Sequence, residues 1–227
     1  MRNLILLFVA LNSVLYGQST EIQKAEMSLK QHHDSFDLYQ KLHELVADKN
    51  AVTTFSETEI LRGVLEKYGK WSYATTYSPE EKGIKIALQC HLKNEKGEPI
   101  PNAEIHVFQT DAQGFYSVTD SATKRMGEND ARLFAFVKSD AKGNIEIKTI
   151  RPASYPKKYE GRFIPQHIHF NISAKGYQDK LIQMVFQDDP AMDAHWQKWA
   201  KNADFPVVKL SYLKDKITGS FEVVLRK

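Results

Sequence analysis

The feature that most constrains the fold of this 227-residue chain is the texture that begins after Pro79. From there, short β-prone runs alternate with turn clusters. The runs are residues 84–92, 104–110, 133–138, 145–150, 167–173, 181–186, 207–213 and 221–225. Each is the length of one strand. The segments Asn94-Glu95-Lys96-Gly97-Glu98-Pro99, Asp140-Ala141-Lys142-Gly143-Asn144 and Lys175-Gly176-Tyr177 between them supply residues that accept turn conformations. Such a series buries its apolar faces as two packed sheets, so a mainly β fold, a β-sandwich over residues 80–227, is expected. One helix, over residues 191–202, interrupts it; Trp196 and Trp199, three apart, read as packing residues.

Before Pro79 the pattern is helical. Residues 20–46 lack Gly and Pro, and Ile22, Ala25, Leu29, Phe36, Leu42 and Leu45 recur at roughly helical spacing, which predicts one long helix. A second starts at the capping box Ser56-Glu57-Thr58-Glu59 and runs through Leu61, Val64 and Leu65 to Gly69. Residues 19–79 are therefore expected to form a helical N-terminal appendage. Within it, His32, His33 and His43 are read as a solvated face, because neighbouring helical positions point about 100° apart and share a metal poorly. The helical pattern does not decide between a dimerisation device and a lid, so a homo-oligomer stays open.

Residues 1–18 have a different character. Arg2 is followed by the apolar stretch Leu4-Ile5-Leu6-Leu7-Phe8-Val9-Ala10-Leu11 and Val14-Leu15, then by Gly17-Gln18-Ser19. That is the layout of a signal peptide, and the stretch falls short of the roughly 20 apolar residues of a spanning helix. Export to the periplasm or medium is expected, with no membrane association once the signal is removed. The single Cys90 excludes an intrachain disulfide and, in an apolar run, reads as a small buried hydrophobe. With 31 basic against 28 acidic residues, a net charge of +3 and no basic cluster, nucleic acid is not an expected partner.

The sharpest local motif is Pro165-Gln166-His167-Ile168-His169-Phe170. On a strand, His167 and His169 face one way, with backbones about 6–7 Å apart, and can converge on one metal. Taken alone, His-x-His is equally a pair of exposed strand histidines. Its surroundings are more specific. The segment Gly97-Glu98-Pro99-Ile100-Pro101-Asn102-Ala103-Glu104-Ile105 leads into Val107-Phe108-Gln109-Thr110-Asp111-Ala112-Gln113-Gly114-Phe115-Tyr116. Arg151-Pro152-Ala153-Ser154-Tyr155-Pro156 follows later, ahead of the histidine strand.

In this order and spacing, residues 84–187 resemble the intradiol ring-cleavage dioxygenases, the family of catechol 1,2- and protocatechuate 3,4-dioxygenases. There is a weaker echo in the last strand and none in the N-terminal helices. The resemblance implies a β-sandwich of intradiol dioxygenase type holding non-haem Fe(III). Its metal ligands match Tyr116, in a Gly-x-Tyr setting, Tyr155, in a Pro-x-x-Tyr-Pro setting, and His167 with His169. Gln183 matches a glutamine close to the site. Phenolate is a hard anionic donor suited to ferric ion, and two phenolates with a hydroxide balance its charge. The implied reaction cleaves a catechol-type ring between its two hydroxyl-bearing carbons, with a small aromatic diol and O₂ as partners. It implies that the diol chelates the iron, that Tyr155 is displaced and takes a proton, and that the other three ligands stay bound.

One position departs from the family pattern. Where an arginine is usual three residues before the first histidine, this chain has Ile164. Arg162, two residues earlier and on the same face of an extended chain, is the expected substitute. The alternative readings are an exported β-sandwich binding module without ring-cleavage activity, and a sandwich holding zinc or copper through its two histidines.

Overall fold

The computed structural model describes residues 20–48, 55–116, 131–155 and 158–227. Helices α1 (Thr20–Gln31), α2 (Phe36–Ala47) and α3 (Phe55–Tyr68) come first, then strands β1 (Tyr73–Thr75), β2 (Lys85–Asn94), β3 (Glu104–Gln109), β4 (Leu133–Lys138) and β5 (Asn144–Ile150). A hairpin of β6 (Lys158–Tyr159) and β7 (Arg162–Phe163) precedes β8 (His167–Ser173) and β9 (Lys180–Phe186). Helix α4 (Ala194–Asn202) and strands β10 (Val207–Val208), β11 (Ser211–Leu213) and β12 (Lys216–Leu225) complete the chain.

Two five-stranded sheets form the expected sandwich, one in the order β1-β5-β2-β12-β11 and the other in the order β10-β9-β8-β3-β4. Alternation decides which side of each strand is inside. On β2, Ile86, Leu88, Cys90 and Leu92 are buried between more exposed residues, as the period of two requires. They meet Ile105 and Val107 of β3, Ile168, Phe170 and Ile172 of β8, and Ile182, Met184 and Phe186 of β9 in one apolar core between the sheets. Cys90 is in this core, as expected.

The opposite face of the second sheet is also largely covered, but by two different bodies. The helices bury Tyr39, Leu42, Leu61 and Leu65 against Phe108 and Phe134, over β3 and β4. Helix α4 brings Trp196 and Ala200, and the turn before it Met192, against Val185 of β9. Between these covers lies β8, whose outer face carries His167 and His169.

Several sequence expectations need correction. The long first helix is two helices, broken at residues 32–35, where Ser35 caps α2 and accepts a hydrogen bond from Leu38 N. Break and cap compete locally with helix continuation, and the apolar stripe survives because α1 and α2 share one core. Sheet pairing begins before Pro79, since β1 runs parallel to β5 with Tyr73 opposite Glu146. The run 207–213 is two short strands in different sheets, so residues 209–210 cross between layers. The hairpin β6–β7 was not legible in the sequence. Residues 1–18, which carry the export expectation, lie outside the described residues. Among the described residues, no helix is long and apolar enough to cross a membrane.

His32 and His33 are exposed as expected, but His43 is not: its ring is fully buried, 5.1 Å from Phe134. One helical turn after Tyr39, it lies in the apolar stripe of α2 rather than on its wet face. Burial pushes its pKa down to about 4, a shift that the nearby Phe134 backbone only partly offsets and Arg62 reinforces. His106, on the covered face of β3, is pushed to about 3 by burial and by Arg62.

Both histidines therefore fold neutral, while in the unfolded chain they take a proton near pH 6.5. The unfolded state binds more protons as pH falls, so the stability present above pH 6.5 is lost on acidification. For His43 the loss runs from about pH 6.5 to about pH 4 and is on the order of 3 kcal/mol. Thermal unfolding of metal-free protein should show this fall, and His43→Leu should flatten it; identical pH profiles for the two proteins would contradict the assignment.

Candidate metal centre

Tyr116 is presented by a tight turn. Asp111 Oδ1 accepts hydrogen bonds from Gln113 N at 2.9 Å and Phe115 N at 3.1 Å, while Asp111 N donates to Phe115 O at 2.8 Å. Gly114 takes φ +87°, a left-handed conformation that a side chain would disfavour. The segment bearing Tyr155 is laid against this turn. Ala153 N donates to Asp111 O at 2.9 Å, and Thr110 Oγ1 donates to Ala153 O at 2.8 Å. The two tyrosines are thus brought together by backbone pairing although 39 residues apart in sequence.

Their hydroxyls meet the two histidines in a closed constellation. Tyr116 Oη and Tyr155 Oη are 2.6 Å apart, Tyr116 Oη is 3.0 Å from His169 Nε2, and Tyr155 Oη is 3.0 Å from His167 Nε2. His167 Nδ1 lies 2.7 Å from Pro165 O. A carbonyl only accepts, so Nδ1 carries the proton and Nε2 presents its lone pair to the tyrosines. His169 is held by stacking on Phe108, its cross-strand neighbour, with centroids 4.4 Å apart and planes 5° from parallel.

Electrostatics keep both imidazoles neutral, the state that binds metal. Burial lowers the His167 pKa, and burial together with His167 and His106 pushes His169 to about 3. The Tyr155 phenol is raised by burial, partly opposed by its bond to Tyr116. Tyr116 is only 4% exposed, whereas Tyr155 is half-buried. Two imidazole lone pairs and two phenol oxygens converging within hydrogen-bonding distance suit a hard, highly charged cation better than they suit one another. Among the described residues there is no cluster of three or more His, Cys, Asp or Glu, so any metal here relies on the tyrosines.

Gln183 sits directly opposite His169 on β9, half-buried on the same face. Arg162 belongs to β7 and the histidines to β8, in different sheets, with residues 164–166 between them, so the three do not share one extended strand. Its guanidinium donates to Asp193 at 2.7 Å with the side chain 52% exposed, and is not joined to the tyrosine–histidine constellation. Ile164 packs with Val185 and Trp196 beneath α4.

The sequence reading missed Phe108 and the Pro165 carbonyl. Proline before a His-x-His pair was a visible signal; the stacking of Phe108 depends on strand pairing, which no local pattern encodes.

Comparisons with known proteins identify the family. The family model described as Dioxygenase matches residues 70–225. Catechol 1,2-dioxygenase of Acinetobacter baylyi is 28% identical over 48% of this chain and 38% of its own length. Chlorocatechol 1,2-dioxygenase of Rhodococcus opacus is 30% identical over 51% of this chain and 48% of its own. The chain thus spans half or less of these relatives. The structure of an Acinetobacter catechol 1,2-dioxygenase superposes with a TM-score of 0.54 at 20% identity, covering 70% of this chain and 58% of that one, a likeness of fold. With the family model spanning most of the chain, and relatives that are catechol and chlorocatechol dioxygenases, the chain belongs to the intradiol ring-cleavage dioxygenase family.

Proposed function

We propose that this protein is a non-haem Fe(III) dioxygenase that opens a catechol-type ring between its two hydroxyl-bearing carbons, adding both atoms of O₂ to give a diacid. The observation that supports this reading best is the closed set of contacts among Tyr116, Tyr155, His167 and His169, at 2.6–3.0 Å. These four residues would hold the ion. When bound, ferric iron would supply a Lewis-acidic centre that favours the ionised diol and makes its ring reactive toward O₂.

The remaining work belongs to the chain. Pro165 O fixes the tautomer of His167, and Phe108 fixes the ring plane of His169. Tyr116, almost fully buried, is the anchoring phenolate. Tyr155, the more exposed of the two phenols, would take at its Oη a proton that leaves the diol. Gln183, across from His169, would hydrogen-bond the substrate at the edge of the site. The low dielectric supplied by the helices and α4 strengthens each of these interactions and excludes bulk water. The names of the relatives, catechol and chlorocatechol dioxygenases, favour a small aromatic diol as substrate. Residues 1–18 favour export, and mature protein from its native host should then begin between Gly17 and Thr20; recovery with Met1 retained in the cytosol would remove that part of the reading.

The test uses purified protein reconstituted with iron and supplied with catechol and ¹⁸O₂. The expected result is a coloured protein whose ring-opened product carries two labelled oxygens. Tyr116→Phe, His167→Ala and His169→Ala should each lower iron content, while Tyr155→Phe should retain iron and lose at least about 10²-fold in kcat, the scale of a missing general base. A protein that stays iron-free after reconstitution would overturn the proposal.

Arg162 serves as an independent probe. Because its guanidinium is committed to Asp193 at the surface, Arg162→Ala should change kcat less than about threefold, the small effect expected of an exposed pair. A loss of about 10²-fold, the scale of a lost charge-stabilising contact, would support Arg162 as the substitute for the arginine absent at Ile164.

A further inference from the structure

The helices that precede the sandwich reach the metal constellation through two buried arginines. Arg132, 5% exposed, immediately precedes β4, and its backbone N donates to Tyr116 O at 2.9 Å. Its guanidinium donates to Ala47 O, at the end of α2, at 3.0 Å and makes two bonds to Glu81, one of them 3.0 Å long. It also donates to Asp111 Oδ2 at 3.2 Å, and Asp111 is the residue whose other oxygen shapes the Tyr116 turn. The carbonyl of that same Asp111 holds Ala153, two residues before Tyr155. One side chain therefore connects α2 to both tyrosine-bearing segments.

Arg62, 6% exposed on α3, reaches the histidine side. It donates to Ala131 O at 2.8 Å and to His106 Nε2 at 2.9 Å, with its guanidinium carbon 4.3 Å above the Phe134 ring. His106 is one member of a row of stacked rings. Phe136 and His106 are 4.6 Å apart at 17°, His106 and Phe108 5.0 Å at 29°, and Phe108 and His169 4.4 Å at 5°. The row runs from beneath the helices to a proposed ligand.

We propose that Arg132 and Arg62 are positioning residues, through which the helical appendage sets the geometry of Tyr116 and His169 and so the affinity of the site for iron. This rests on the reading of the constellation as an iron site. The physical ground is that a buried guanidinium with several fixed acceptors tolerates few arrangements, so it holds its partners in one register. Neither arginine touches the reacting atoms. Removing the helices' grip leaves all four donors present but frees the turn and the ring stack that aim two of them.

The experiment compares full-length Arg132→Lys, Glu81→Gln and Arg62→Lys with Leu92→Ala, which opens the core between the sheets, a cluster separate from the one that holds Tyr116 and Phe108. Each is measured for iron affinity by chelator competition, for the tyrosine-to-iron colour band, and for unfolding temperature without metal. The variants that fold among the three should bind iron at least tenfold more weakly and show a shifted band. Leu92→Ala should unfold at a similarly reduced temperature with affinity and band unchanged. Iron affinity and band equal to wild type in the arginine variants, or lost equally in Leu92→Ala, would overturn the proposal. If the wild-type chain binds no iron, the dioxygenase reading fails and positioning is judged on metal-free protein. There the fluorine resonance of 3-fluorotyrosine at position 116, assigned with Tyr116→Phe, should move in Arg132→Lys and Glu81→Gln but not in Leu92→Ala; an unmoved resonance would overturn the positioning role as well.

Discussion

Strand β8 lies in the middle of its sheet and is packed on both faces, and its period of two gives those faces different chemistry. Ile168, Phe170 and Ile172 enter the core between the sheets, where they meet Leu88, Cys90 and Ile182. His167 and His169 emerge on the other side. A shift of one residue in register would bury the imidazoles in that core and expose three large apolar side chains, so the hydrophobic effect that closes the sandwich also fixes which way the histidines point. Burying each of those apolar side chains contributes about 1.5–3 kcal/mol, which makes the alternative register untenable. The tyrosine–histidine constellation inherits its precision from this packing.

The covering layers serve the site in unequal ways. Helix α4 shields Val185 and holds Ile164 in an apolar cluster, which leaves Arg162 at the surface with Asp193. The N-terminal helices enclose polar groups as well as apolar ones. Arg132 with Glu81 and Asp111 forms a buried ion cluster. Such clusters are weak evidence for stability, since desolvation opposes the Coulomb gain, yet removing one member costs about 3–5 kcal/mol. What a cluster of this kind supplies is a single allowed arrangement, and here that arrangement includes the Tyr116 turn.

Much of this was legible in the sequence for physical reasons. Strands 133–138 and 167–173 could be read to the residue because their alternation is bounded by turn or proline signals. Tyr116, Tyr155, His167 and His169 were legible through a resemblance in motif order, and the fold then brought them together. What stayed hidden depends on long-range pairing. The hairpin β6–β7 breaks the continuity on which the placement of Arg162 relied. His43 was read as solvated because local composition does not show that a sheet with Phe134 lies over α2. Phe108 and the two arginines become part of the site only once β3 is paired with β8 and the helices are docked.

On the proposed reading, two phenols and two imidazoles, delivered by one turn, one loop and one strand, form a binding site for ferric iron. X-ray absorption at the iron edge of the reconstituted protein reads those ligands. The expected spectrum has a first shell of nitrogen and oxygen donors with the outer-shell scattering of two imidazoles, one of which is lost in His169→Ala. An iron spectrum with no imidazole scattering, unchanged by that substitution, would place the metal elsewhere and overturn the proposed site.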